Sequence, residues 1–218
     1  MNYLVVGLGN IGPEYAYTRH NMGFMVLDAW AQASNTVFTP GRYADVAEVP
    51  FRGHRFILVK PTTYMNLSGK AVRYWMQEKN VPIERTIVIC DDLNIPFGAV
   101  RMRLDGSDGG HNGLKNIIEL TSSQSFPRIR MGIGNDFSRG HQIDFVLGRL
   151  SEEELSTVKD LAGRIIEGLK IFVTMGGQRA MSAINAKPKA DAKPKADANP
   201  KADAAPKAGN APTKTSGQ

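Results

Sequence analysis

Tyr3-Leu4-Val5-Val6-Gly7-Leu8-Gly9-Asn10-Ile11-Gly12-Pro13-Glu14-Tyr15, running on to Thr18-Arg19-His20-Asn21, sets the organisation of the chain. Four apolar residues in a row read as a buried strand, and the glycines follow where that strand ends. In open α/β sheets, ligands bind at the carboxyl ends of strands. Gly7, Gly9 and Gly12 match G-x-G-x-x-G, the spacing of a dinucleotide loop. That signal is weak on two counts. Pro13 lacks an N–H and would break a helix already under way, and no acidic residue ends a second strand about 20 positions on. A chemical reading of the same loop places the Asn10 carboxamide beside the strand end. It also places His20 at the mouth of the next helix, where it is either a base or a solvent-bonded helix-start residue.

Outward from this loop, Met22, Met25, Val26, Ala29, Trp30 and Ala33 recur at helical spacing and predict a helix over 21–33. Extended runs at 45–49 and 56–59, with Arg52-Gly53-His54 between them, predict a hairpin. Pro61 delays the next helix, for which Asn66 is a candidate N-cap, and that helix runs to about Lys79. Thr86-Ile87-Val88-Ile89-Cys90 is a continuous apolar strand that delivers Asp91 and Asp92 at its carboxyl end. The extended run 99–104 carries Arg101 and Arg103 on one face, and the run 127–134 carries Arg128 and Arg130 on one face. A glycine-rich loop and His111-Asn112-Gly113 lead into a helix through Leu120. Ser151 and Glu154 form a capping box ahead of a long terminal helix. Strands alternating with helices predict an α/β fold: a single domain with a mixed, mostly parallel sheet flanked by helices in three layers.

The 218 residues, 42% of them hydrophobic, suffice for one domain with a substantial core. No apolar run is long enough to span a membrane, no signal peptide is read, and one cysteine, Cys90, cannot form an internal disulfide. The net charge of +6 is unevenly spread. From Ala186 onward there are seven lysines and three aspartates, a balance of +4, which leaves only +2 for the rest. A nucleic-acid role would therefore rest on a local patch of the folded part. The tail repeats Ala-Lys-Pro-Lys-Ala-Asp at 186–191 and 192–197, forbidding both helix and core. The expected division is a domain over 1–185 and a disordered tail over 186–218.

No G-x-S-x-G elbow, no H-E-x-x-H and no metal-ligand spacing among the four histidines occurs in the chain. What remains at loop positions is polar: Asn10, His20, Asn66, Asp91 and Asn112. A histidine oriented by a carboxylate can deprotonate a water for attack on an ester, and asparagine amides can hold a peptide or an oxyanion without adding charge.

These blocks also resemble, in order, the bacterial-type peptidyl-tRNA hydrolase family. The resemblance runs from Leu4–Asn10 and Thr18–Gly23 through Lys60-Pro61, Tyr64–Gly69 and Asp91–Leu93 to Gly109–Lys115 and Arg128–Gly134, covering residues 1 to about 185. It implies a monomeric, cytoplasmic, cofactor-free and metal-free hydrolase. Such an enzyme cleaves the ester between a peptide and the 3′ ribose of tRNA, recycling peptidyl-tRNA dropped by ribosomes. By position, His20 would be the base and Asp91 its orienting partner, with Asn10 in the catalytic set. Tyr15, Met65, Asn66, His111 and Asn112 would bind substrate, while Arg103 and Arg130 would clamp the tRNA 5′ phosphate. Position 103 is Arg where lysine is familiar, which replaces a point donor by a planar fork. Asp108 adds a carboxylate to the glycine-rich loop, and the tail has no counterpart in the family pattern. Two other readings are an RNA-binding protein of the same fold that has lost catalysis and a nicotinamide oxidoreductase. Retention of both His20 and Asp91 argues against the first, and Pro13 against the second.

Because the tail composition offers almost nothing to bury, deleting residues 186–218 should leave the melting temperature nearly unchanged in a thermal unfolding scan. A loss of several degrees would contradict this reading.

Overall fold

The computed structural model describes residues 1–186; the tail expected over 186–218 lies, apart from Ala186, outside the described residues. Seven strands form one sheet: β1 (Asn2–Gly7), β2 (Thr39–Gly41), β3 (Ala44–Phe51), β4 (His54–Pro61), β5 (Thr86–Asp92), β6 (Val100–Arg103) and β7 (Arg128–Gly132), in the order β2-β3-β4-β1-β5-β7-β6. The four central strands, β4, β1, β5 and β7, run parallel, while β2, β3 and β6 are antiparallel to their neighbours. The helices are α1 (Met22–Ala33), α2 (Ser68–Glu78), α3 (Asn112–Thr121), α4 (Gln142–Val146), α5 (Glu152–Met175) and α6 (Gly177–Asn185).

Side chains that alternate along the central strands divide the interior in two. Tyr3, Val5, Ile87 and Ile89 pack with α1, α5 and α6, including Trp30, Ile165 and Leu169. On the other face Leu4, Val6, Val88 and Cys90 pack with α2 and α3, including Trp75, Leu114 and Ile117. The fold is thus the expected three-layer α/β arrangement around a mixed sheet. Strands buried on both faces explain the unbroken apolar runs at 3–6 and 86–90.

Four local features differ from the sequence expectation. Asn66 does not cap α2: it lies in the 3-10 turn Met65–Leu67, and Leu67 is the residue before the helix, with no side-chain cap bond. The terminal helix is broken at Gly176, whose φ of 88° ends α5 and starts α6. The short α4 and the exposed three-residue β2 were not expected. The capping box is present, with the Ser151 N–H donating to Glu154 Oε2 at 2.7 Å and the Glu154 N–H to Ser151 Oγ at 3.2 Å.

The glycine-rich start of the chain has a packing role. A Cβ on Gly23 would lie 2.5 Å from the Leu8 nitrogen and 2.6 Å from the Ile89 carbonyl oxygen, so α1 rests directly on the backbone where β1 and β5 end. That contact brings His20, immediately before α1, within reach of Asp91 at the end of β5. Gly23→Ala should therefore destabilise the protein by roughly 1–3 kcal/mol or more through overpacking against backbone. Gly163, exposed in α5 with open space around its Cα, provides the contrast. Gly163→Ala should stabilise by about 1 kcal/mol through helix propensity. Denaturant titration of the two variants checks both signs.

Candidate active site

Asp91 ends β5, is 4% exposed, and receives two histidines on one oxygen. Its Oδ1 lies 2.8 Å from His20 Nδ1 and 3.2 Å from His111 Nε2. The two imidazole rings sit 5.1 Å apart at 41°. Burial disfavours the Asp91 charge, but the hydrogen bonds from His111 and His20, with their charges when protonated, outweigh it. The carboxyl is held well below the usual carboxylate range. Asp91 is accordingly an anion at neutral pH, and both facing nitrogens must donate to it.

The histidines are not equivalent. His111 is the N-cap of α3, and its Nδ1 accepts the N–H groups of Gly113 at 3.1 Å and Leu114 at 3.4 Å. A proton on Nδ1 would face those two donors, so His111 is the neutral tautomer with its proton on Nε2, pointed at Asp91. His20 instead gives its Nδ1–H to Asp91, which in the neutral ring leaves Nε2 with a free lone pair. Thus His111 is a fixed donor, and His20 is the ring left with a nitrogen that can accept a proton.

The backbone around His20 is tied on both sides. Asn21, 2% exposed, donates its amide N–H to the Asn10 carbonyl at 2.8 Å and accepts the Asn10 N–H on Oδ1 at 2.9 Å. This exchange joins the turn Arg19–Asn21 to the loop after β1. The sequence reading quoted Asn21 but assigned it no role; a short polar residue directly after a candidate base was the available signal. On the other side, the Arg19 N–H donates to the Gly148 carbonyl at 3.1 Å.

Asn10, His20, Asp91, His111 and Asn112 line one cavity of about 250 Å³, closed on another side by Gln142, Ile143, Val146 and Leu147 of α4 and its end. Larger hollows occur at the amino ends of the strands, around Met1 and Phe51–Arg55, and between α1 and α5, and neither is lined by a histidine together with a carboxylate. Tyr15, Met65 and Asn66 do not line the cavity. Met65 is buried, and a Cβ on Gly113 would lie 2.8 Å from its sulfur, so it supports the start of α3 from beneath. Asn66 is exposed. The α4 wall went unread in the sequence because five residues carry too little periodicity to identify a helix.

The basic residues separate into different roles. Arg103 and Arg101 are exposed on β6, where they face Arg128 and Arg130 of β7 in register. Arg128 is fully buried. Its guanidinium donates to the carbonyls of Gly106, Ser107 and Gln124 and lies 4.0 Å from the centre of the Phe126 ring, bracing the glycine-rich loop from within. Arg130 donates to Asp92 Oδ2 at 2.9 Å and to the Ser107 carbonyl at 2.6 Å. Asp108 accepts the Gly110 N–H at 2.7 Å, so this carboxylate closes the turn ahead of His111. Arg103 and Arg130 are therefore not side by side across the ladder.

His20, Asp91 and His111 also place potential ligand atoms within 4.8 Å of one another, a cluster that could hold a metal ion. Ligation through His111 Nε2 would move its proton to Nδ1, against the N–H groups of Gly113 and Leu114, so the cap favours the hydrogen-bonded pair over a metal centre.

Residues 4–193 match the family model described as peptidyl-tRNA hydrolase. The chain is 53% identical over 187 residues to the peptidyl-tRNA hydrolase of Cytophaga hutchinsonii, covering 86% of this chain and 100% of that one. It is 52% identical over 187 residues to that of Phocaeicola vulgatus, with the same coverage. The crystal structure of peptidyl-tRNA hydrolase from Acinetobacter baumannii superposes with a TM-score of 0.79 at 32% identity, over 84% of this chain and 94% of that one. The chain belongs to the peptidyl-tRNA hydrolase family.

The depressed Asp91 acidity carries a sign. A carboxyl whose folded pKa lies below its unfolded value, about 3.9, adds stability above that value and loses it as pH falls towards the folded pKa. The stability gap between wild type and Asp91→Asn should therefore be full at pH 6 and shrink below about pH 4. Denaturant midpoints at pH 6 and pH 3 check it; a gap that widens on acidification would contradict the assignment.

Proposed function

We propose that the chain hydrolyses peptidyl-tRNA, the activity of its family, with His20 as the general base and Asp91 as the group that orients it. The supporting observation is the asymmetry of the two histidines on one carboxylate, which leaves only His20 with a lone pair available. His20 Nε2 takes a proton from water as the water oxygen bonds to the ester carbonyl carbon. The imidazolium so formed is stabilised by Asp91. Collapse of the tetrahedral intermediate breaks the bond to the ribose oxygen, and His20 returns its proton to that oxygen. The amides of Asn10 and Asn112 can donate to the developing oxyanion or to the peptide without introducing charge.

The domain that does this is residues 1–185, acting as a monomer in the cytoplasm. The substrate is a product of translation, and no described helix is long and apolar enough to cross a membrane. The substrate roles of Tyr15, Met65, Asn66 and His111 differ in kind. Exposed Asn66 is free to meet the substrate, Tyr15 lies on the 3-10 turn beside the loop after β1, His111 lines the cavity itself, and Met65 acts from beneath by shaping the site. Arg103 provides phosphate capture from an exposed strand. Arg130, fixed by Asp92, presents its remaining N–H groups from a set position.

Single-turnover cleavage of an N-acetylated aminoacyl-tRNA tests the reading. His20→Ala should lose about 100- to 10,000-fold in rate with tRNA binding retained. A variant keeping half of wild-type activity would remove His20 from the mechanism. Arg103→Ala should raise KM with kcat kept, and the penalty should disappear on substrate lacking the 5′ phosphate. An equal penalty on both substrates would assign Arg103 to non-specific charge.

A further inference from the structure

Arg19, the residue before the base, has a set of contacts that the hydrolytic mechanism does not use. Its guanidinium donates to Glu154 Oε1 at 2.8 Å and to the Arg149 carbonyl at 3.3 Å, and lies 4.7 Å from the centre of the Phe145 ring. The side chain is only 15% exposed. Its backbone N–H holds the Gly148 carbonyl, Thr18 bridges to Arg149, and the Leu150 N–H donates to the Tyr17 carbonyl. One side chain therefore reaches three successive pieces of the chain: the face of α4, the segment that follows it, and the first turn of α5.

The α4 segment needs such an anchor. Every residue of α4 is at least partly exposed, and its Phe145 and Val146 pack only partly buried against the core, so side-chain contacts from outside the helix help to hold it down. Phe145 has the Phe137 ring centre 5.1 Å from its own and the Arg19 guanidinium 4.7 Å from its ring centre. Yet Gln142, Ile143, Val146 and Leu147 form one wall of the cavity. A planar guanidinium suits this place: it stacks on an aromatic ring while its edge donates to a carboxylate and a carbonyl, which a lysine cannot do together. Glu154 is itself fixed, because its other oxygen accepts the Ser151 N–H in the capping box.

We infer that Arg19 is a positioning residue that latches α4, as a wall of the substrate cavity, onto the turn carrying His20. The inference rests on the site being the one proposed above. His20 keeps its bond to Asp91 and its neighbour Asn21 keeps the Asn10 loop without Arg19, so the latch sets the fit of the substrate and not the proton transfer. Losing it removes binding common to ground state and transition state.

Steady-state cleavage of an N-acetylated aminoacyl-tRNA by Arg19→Met, Arg19→Lys, Phe145→Leu and the Arg19→Met/Phe145→Leu double variant tests it, with His20→Ala as the reference for the site. Arg19→Met should raise KM roughly fivefold with kcat within about twofold, the scale of one ion pair and one cation–π contact. Arg19→Lys should fall between wild type and Arg19→Met. Phe145→Leu should move KM in the same direction, and the penalty of the double variant should be less than the product of the two single penalties, because both changes remove the shared Arg19–Phe145 contact. Glu154→Gln, which retains the capping box, should reproduce part of the KM rise. A fall in kcat with KM unchanged in Arg19→Lys, which keeps the charge and the fold, would overturn the latch, as would multiplicative penalties in the double variant. An active His20→Ala would instead overturn the site itself.

Discussion

Two imidazole N–H groups converge on one oxygen of a buried carboxylate, and the site is built around that constraint. An aspartate at the end of a central strand is taken out of water on both faces of the sheet, which opposes its charge. His20 and His111 reverse that balance, and each fixes the other's chemistry through Asp91. Because the first turn of α3 occupies Nδ1 of His111, that ring can only donate. The role of base proposed for His20 then needs no appeal to its own acidity. The glycines are part of the same constraint: Gly23 lets α1 sit on the ends of β1 and β5, and this brings His20 to the end of β5.

Much of this architecture could be read before any coordinates. The runs 3–6 and 86–90 are apolar without interruption because they are sandwiched between two layers, and such runs need no alternation to be recognised. The helix at 22–33 carries a clear apolar stripe, and Ser151 with Glu154 announces α5. Asp91 and His20 were legible because both fall where a strand ends or a helix begins. What could not be read shares a physical character. The cap of α2, the cavity wall of α4 and the break at Gly176 depend on short segments or single dihedrals that leave no periodic trace. Cross-chain partners were also invisible. Nothing near Asn21 in sequence points to the backbone of Asn10, and strand alternation alone could not tell that Arg128 is a buried brace while Arg130, two residues on, is held by Asp92.

In the glycine-rich loop, Asp108 adds a negative charge close to the site. In the fold its carboxylate accepts the Gly110 N–H, while Arg128 and Arg130 secure the carbonyls of Gly106 and Ser107. These bonds order the approach to His111, whose position as N-cap supports the assignment of the base. The residues that flank the chemistry thus act through backbone groups.

The most direct test of the account is the protonation state of the two rings. Nitrogen-detected NMR of protein labelled in its histidine side chains, at a pH where both rings are neutral, distinguishes a protonated from a bare ring nitrogen. The account predicts His111 with its proton on Nε2 and a bare Nδ1, and His20 with its proton on Nδ1 and a bare Nε2. A His111 ring protonated on Nδ1, or a His20 ring with its proton on Nε2, would contradict it.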